Sequence, residues 1–235
     1  MGGGRYWEAR NSLLDRGLVA KAHGGPGGQT IIVPQPTAQG IDAAPAETIP
    51  GQQQPGSPYP DEASLYEPLI EQIQKNWAKS EAYDLFIVAN TARLGRRLTG
   101  GNWTRPDICL VGIRKFKFIR NPVVDVVTFE VKPNTDVTVK GVLEALSHRQ
   151  ASTLAYVIFN VSKDEFENNQ ENERMTELAK THGVGVILAR DPKDQKTWIE
   201  EVRATRWEPD PEYLNGFIQE VMPEDKHEEI IKMLK

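Results

Sequence analysis

One cysteine, Cys109, stands in a chain of 235 residues, so no intrachain disulfide framework can form. Its surroundings, Ile108 to Ile113, are apolar, and the thiol is read as a packing group of a buried strand. Histidines number four, and no Cys/His grouping has zinc spacing. No apolar run approaches the ~20 residues that span a bilayer, and no signal-peptide pattern is visible. A soluble cytoplasmic protein without a membrane partner is therefore expected. Positive charge is also in short supply: the net charge is −5, which excludes a histone-like binder that coats nucleic acid by charge alone. No internal repeat is visible.

Hydrophobic residues make up 39% and charged residues 26%, enough for a globular core in one ordinary domain plus a smaller module. The basic residues are unevenly placed. Arg93, Arg96, Arg97, Arg105, Arg114, Lys115, Lys117 and Arg120 share one stretch in which Asp107 is the sole acid, whereas the chain from Lys163 onward is acidic. Such a stretch suits a localised phosphate-binding face; the bland alternative is a solvated, charge-rich hairpin. Residues 34–61, rich in Pro, Gly, Gln and Ala, read as a flexible linker. They divide a short N-terminal segment, 1–33, from a main domain at 62–235.

The main domain alternates helical and strand patterns. Ser64 and Glu67 have capping-box spacing, and Leu65, Leu69, Ile73 and Trp77 give the following helix one apolar face. Strands are expected at 85–89, 108–113, 122–131, 155–159, 183–189 and 198–202. Helices are expected at about 137–153, 163–182, 210–222 and 224–234, the last two docking on the core through Tyr213, Phe217, Ile230 and Met233. Trp103, before the Asp107 strand, either packs its entry or stacks on a base. The fold class is α/β, a mixed central sheet flanked by helices.

The chemistry concentrates in Arg105-Pro106-Asp107 through Phe129-Glu130-Val131-Lys132. Side chains alternate along a strand, so Glu130 and Lys132 share a face. Pairing of the two strands brings Asp107 beside Glu130, where two like charges call for a cation between them. Pro106-Asp107 followed by Glu130-x-Lys132 resembles the PD-(D/E)xK nuclease superfamily, with its restriction-endonuclease-like core. The resemblance implies a Mg²⁺-dependent (or Mn²⁺-dependent) deoxyribonuclease that hydrolyses phosphodiester bonds, with DNA as partner. It implies Asp107 and Glu130 as metal ligands, the Val131 carbonyl as a third oxygen, and Lys132 orienting the attacking water. Glu67 fits the acidic residue of the family's first helix, against the alternative that it only closes the helix end. Gln150 fits a glutamine that orients the site in some branches. His148 is either structural or a phosphate contact. The DNA backbone would be held by Arg96, Arg97, Arg105, Arg114, Lys115 and Lys117. Double-strand cutting would call for a homodimer. The rival readings are a DNA-binding or regulatory protein on a nuclease-like fold that no longer cuts, and an interaction domain in which Glu130 and Lys132 form a plain salt bridge.

Residues 1–33 resemble the last part of a winged-helix domain: a helix ending Ser12-Leu13-Leu14-Asp15-Arg16-Gly17, a strand at 18–21, a glycine-rich tip at 23–28, and a strand at 30–33. The first two helices of that fold are missing. A winged-helix-like module joined to a nuclease domain resembles restriction or anti-phage defence proteins.

Overall fold

The computed structural model describes residues 19–21, 30–32, 59, 61–92 and 105–235. The chain divides into two units, Met1–Gln53 and Gln54–Lys235. In the first, β1 (Val19–Lys21) and β2 (Thr30–Ile32) pair antiparallel where the two short strands are expected. The helix expected before them, the glycine-rich tip and nearly all of the 34–61 stretch lie outside the described residues, as do Arg93, Arg96, Arg97 and Trp103.

The second unit is built on a six-stranded mixed sheet whose spatial order follows the chain: β3 (Leu85–Asn90), β4 (Ile108–Phe116), β5 (Ile119–Lys132), β6 (Leu154–Phe159), β7 (Gly185–Leu188) and β8 (Ile199–Val202). The first three strands are antiparallel, β6 and β7 run parallel to β5, and β8 closes antiparallel. The crossover from β5 to β6 carries α2 (Val139–His148), that from β6 to β7 carries α3 (Lys163–Glu167) and α4 (Asn172–His182), as parallel neighbours require. α1 (Ala63–Gln72) precedes the sheet. It runs on through a π-helical turn, Ile73–Trp77, and a last helical turn, Ala78–Ser80. α5 (Pro211–Val221) and α6 (Glu224–Leu234) close the chain.

Alternation along β5 assigns its residues to two cores. Val127, Phe129 and Val131 pack with Leu65, Leu69, Ile73 and Trp77 of the first helix. Trp77 meets Phe129 edge-on at 5.2 Å and Tyr156 at 5.7 Å between ring centroids. On the opposite face Val126 packs with Phe217, Val221 and Ile230 of the closing helices. Cys109 lies fully buried in that second core, where burial pushes its thiol up to about 12, so it packs and does not react.

Three local expectations are corrected. The Ser64/Glu67 capping box does not form: Ala63 starts α1, and Asp61 accepts from the Ser64 amide at 2.8 Å. The single helix expected at 163–182 is two helices. Ser162 and Glu165 make a capping box at the first, and α3 stops at Glu167. Tyr213, expected to dock on the core, faces outward at 60% exposure, while Phe217 on the same helix is buried.

Candidate functional site

Asp107 sits one residue before β4, held by its amide, which donates to the Phe129 carbonyl at 3.1 Å. The register Ile108↔Phe129 then places Asp107 against the Glu130 end of β5. Its two carboxylate oxygens are both engaged. Oδ2 accepts from the Val131 amide at 2.8 Å, and Oδ1 lies 2.9 Å from the Tyr66 hydroxyl. That hydroxyl is also 2.6 Å from Glu62 Oε1. A phenol has one proton, so it can donate to only one of these carboxylates at a time.

Glu130 and Lys132 project from the same face of β5, two residues apart, as the strand period demands. Lys132 Nζ pairs with Glu130 Oε1 at 2.7 Å, Glu144 Oε2 at 2.8 Å and Glu62 Oε2 at 3.5 Å. Glu62 and Tyr66 are four apart at the start of α1; Glu144 and His148 are four apart on α2. Each helix thus turns one pair of side chains toward the end of β5. His148 is fully buried, with Nε2 3.9 Å from Glu130 Oε2. α2 can lie this close because Gly141 faces β5 and β6. A methyl group there would come 3.1 Å from Lys132 Cγ and from the Phe159 ring, tighter than most packed carbons adopt, so one of them would have to shift by a few tenths of an ångström.

Four carboxylates around one ammonium leave an excess of negative charge in a buried place, and the proton affinities reflect it. Burial first, then the Glu62 charge, pushes Asp107 up to about 6, although the Val131 amide pulls the other way. Burial and the Asp107 charge push Glu130 up to about 8, against the pull of Lys132. Burial works against the Lys132 charge, but Glu130, Glu144 and Glu62 more than offset it and hold the ammonium above its ordinary value. Glu144 is also partly buried, yet Lys132, Glu130 and Lys140 keep it below the usual carboxylate range. Burial and its acidic neighbours likewise hold the Tyr66 phenol far above its ordinary value, so it remains a donor.

The structure therefore brings Asp107, Glu130, Val131 and Lys132 together, with His148 against them. It does not bring in Glu67 or Gln150. Glu67 is exposed on α1, one position past Tyr66, and the helix-borne acid at the site is Glu62. Gln150 is exposed in the turn after α2, and Glu144 takes the place expected for it. His148 is too deeply buried to meet a DNA backbone. Arg114 is committed to the buried Asp125 at 2.6 Å. Arg105 is half-buried beside Asp107. Glu62, Tyr66 and Glu144 were missed. The i, i+4 pairs Glu62/Tyr66 and Glu144/His148 were the available signal, since a polar pair one turn apart on an amphipathic helix marks a face with a polar neighbour.

The basic residues of the hairpin turn, expected to hold the DNA backbone, are not beside the site. Asp107 immediately precedes β4 and Glu130 lies two residues before the end of β5, so both lie at the open end of the hairpin, while Lys115 and Lys117 lie at its closed end. Eleven residues of β5 separate Ile119 from Glu130, roughly 36 Å at about 3.3 Å per residue.

Among the described residues, no three His, Cys, Asp or Glu side chains are drawn together as a metal-holding group, and no helix is long and apolar enough to cross a membrane. In comparisons with family models, with curated proteins and with solved structures, nothing matches this chain.

Proposed function

We propose that the chain is a metal-dependent DNA endonuclease on a restriction-endonuclease-like core, acting in restriction or anti-phage defence. One observation carries this reading: two carboxylates from neighbouring antiparallel strands, Asp107 and Glu130, are both pushed toward the protonated form by burial and by an acidic neighbour, Glu62 for the first and Asp107 for the second, with a lysine two residues after Glu130. A scaffold has no use for such a pair, because its mutual repulsion costs stability. The succession of two antiparallel strands, a helix and a parallel strand supports the same reading.

The donor set suits a hard divalent cation such as Mg²⁺: it consists of carboxylate and carbonyl oxygens, without thiolate. Asp107, Glu130 and the Val131 carbonyl would hold it, and it would supply acidification of a bound water and neutralisation of phosphate charge. The chain's own residues do the rest. Tyr66 and the Val131 amide fix the Asp107 carboxylate. Lys132, kept charged by three carboxylates, orients the attacking water and offsets charge developing at phosphorus. Glu62 and Glu144 hold Lys132 from two helices, and His148 backs Glu130. The local excess of acid would repel a polyanion, so cleavage should depend steeply on the divalent cation.

A second reading, a DNA-binding or regulatory protein that does not cut, is favoured by the inward commitments of the site: both Asp107 oxygens and the Lys132 ammonium are engaged within the chain. Plasmid and single-stranded DNA incubated with Mg²⁺ or Mn²⁺ separate the two. Nicked or linear product from wild type, absent in Asp107→Ala and Lys132→Ala, is expected. Binding without cleavage under either metal would favour the second reading.

A further inference from the structure

The closed end of the β4–β5 hairpin is a two-stranded arm. β3 pairs with β4 only as far as Leu85↔Ile113, and β6 pairs with β5 only from Val127↔Leu154. Beyond Ile113 and Val126 no strand flanks the hairpin among the described residues. It continues to the Phe116↔Ile119 pair and a turn at Lys117-Phe118, about 15 Å past the sheet. Its base is pinned. Asp125, fully buried, takes Arg114 at 2.6 Å, Arg206 Nε at 2.8 Å and the Tyr83 hydroxyl at 3.2 Å.

The arm spends its sequence on rings and cations. Phe118 is 91% exposed, Ile119 55% and Phe116 44%. Lys115, Lys117 and Arg120 alternate with them, all exposed, and no acid lies between Arg114 and Val124. Lys117 Nζ stands 5.3 Å from the centre of the Phe118 ring. No ion pair engages these three cations among the described residues, although the protein as a whole carries excess acid. Exposed rings on an edge hairpin invite self-association, but identical arms carry the same charge and repel. A bilayer surface would also take exposed rings with snorkelling lysines, and vesicle pelleting is the outcome that would reveal it. A nucleotide offers a flat base and an anionic phosphate on one short unit, matching ring and ammonium side by side.

We infer that the Arg114–Val123 arm is a second nucleic-acid site, which binds unpaired bases by stacking on Phe116 and Phe118 while Lys115, Lys117 and Arg120 take the phosphates. The site lies at the far end of β5 from Glu130 and Lys132. It shares with the proposed nuclease only the class of partner, and it stands or falls separately.

The test uses the full chain carrying Glu130→Gln, in EDTA, so that no cleavage interferes. Fluorescence anisotropy follows a labelled oligothymidylate of about 16 nucleotides and a duplex of the same length. Phe116→Ala/Phe118→Ala, both at exposed positions, should weaken single-strand binding about ten-fold or more while changing duplex affinity less than about two-fold. Lys115→Gln/Lys117→Gln/Arg120→Gln should weaken both and lower the salt slope for the single strand by about two. Wild-type single-strand affinity in the ring variant would overturn the proposal. So would equal losses on duplex and single strand, or ring-dependent pelleting with phosphatidylserine vesicles in place of single-strand binding. Ring-dependent binding by a chain that cuts nothing with any metal would leave the arm standing and remove the nuclease. Cleavage with no ring-dependent binding would do the reverse.

Discussion

The β4–β5 hairpin buries an acid at each end, and the two ends are built on opposite principles. At the arm end, Asp125 is fully buried and receives two guanidiniums and a phenol. Arg206 keeps its charge because Glu208 and Asp125 outweigh the burial that works against it. At the open end, Asp107, Glu130, Glu144 and Glu62 surround one ammonium, and two of the acids are driven toward the protonated form. A buried acid with surplus donors is a fastening. A buried acid with surplus acids is held at a cost, and the cost points to a ligand that removes it.

Exchanging the defects between the ends would sharpen this contrast most. Glu130→Gln should lower Mg²⁺-dependent nicking of plasmid by at least about a thousand-fold. Its urea midpoint in EDTA should stay the same or rise, since the change removes a strained charge. Asp125→Ala should do the opposite. It takes from Arg114 its buried acid and from Arg206 one of its two acids, Glu208 remaining, and should cost about 3 kcal/mol, the low end for a broken buried pair because both arginines reach water. Its cleavage at a temperature where it remains folded should stay within a few-fold of wild type. Loss of stability in Glu130→Gln as large as in Asp125→Ala would break the comparison, since both ends would then be fastenings.

The pH dependence of stability follows from the same asymmetry. Asp107 and Glu130 bind protons more tightly folded than unfolded. The folded state therefore gains from their protonation at low pH, a gain complete below the ordinary carboxylate range and lost as pH rises through about 6 and then about 8. In EDTA, wild type should lose a few kcal/mol between pH 5 and 9 relative to Glu130→Gln, at about 1.4 kcal/mol for each pH unit up to about 8, and Mg²⁺ should restore most of it. Parallel pH profiles for the two proteins, read from urea unfolding, would sink this account.

The core strands and their faces were legible because period-two alternation and β-branched runs are local properties: Phe129 inward against Glu130 and Lys132 on the other side needed nothing but counting. The pairing of Asp107 with Glu130 was legible from the hairpin. The same hairpin also dictates that a turn and the open ends lie far apart, which separates Lys115 and Lys117 from the Asp107–Glu130 end on sequence alone. What was not legible came from helix phase. Whether Glu62 or Glu67 faces β5 depends on the phase of α1, which starts at Ala63 with Glu62 just ahead of it and with the Ser64 amide taken by Asp61. Likewise α2 ends at His148, five residues before the end expected, which turns Gln150 out and leaves Glu144 and His148 facing in.

That difference of phase can be checked with two conservative substitutions on one helix, where the smallest effects are expected. Glu62→Gln keeps an acceptor for Tyr66 but removes one of three carboxylates holding Lys132, at 3.5 Å and partly exposed. A contact of that length is worth little in stability, less than about 1 kcal/mol. Its consequence should be seen in cleavage, about three- to ten-fold slower, because Lys132 is less firmly placed. Glu67→Gln changes an exposed side chain five residues along and should leave cleavage within about two-fold. Both proteins should unfold within about 0.5 kcal/mol of wild type, so a rate difference between them cannot come from stability. A larger defect from Glu67 than from Glu62 would mean that α1 presents a different face to the end of β5, and the acid that completes the cluster would have to be reassigned.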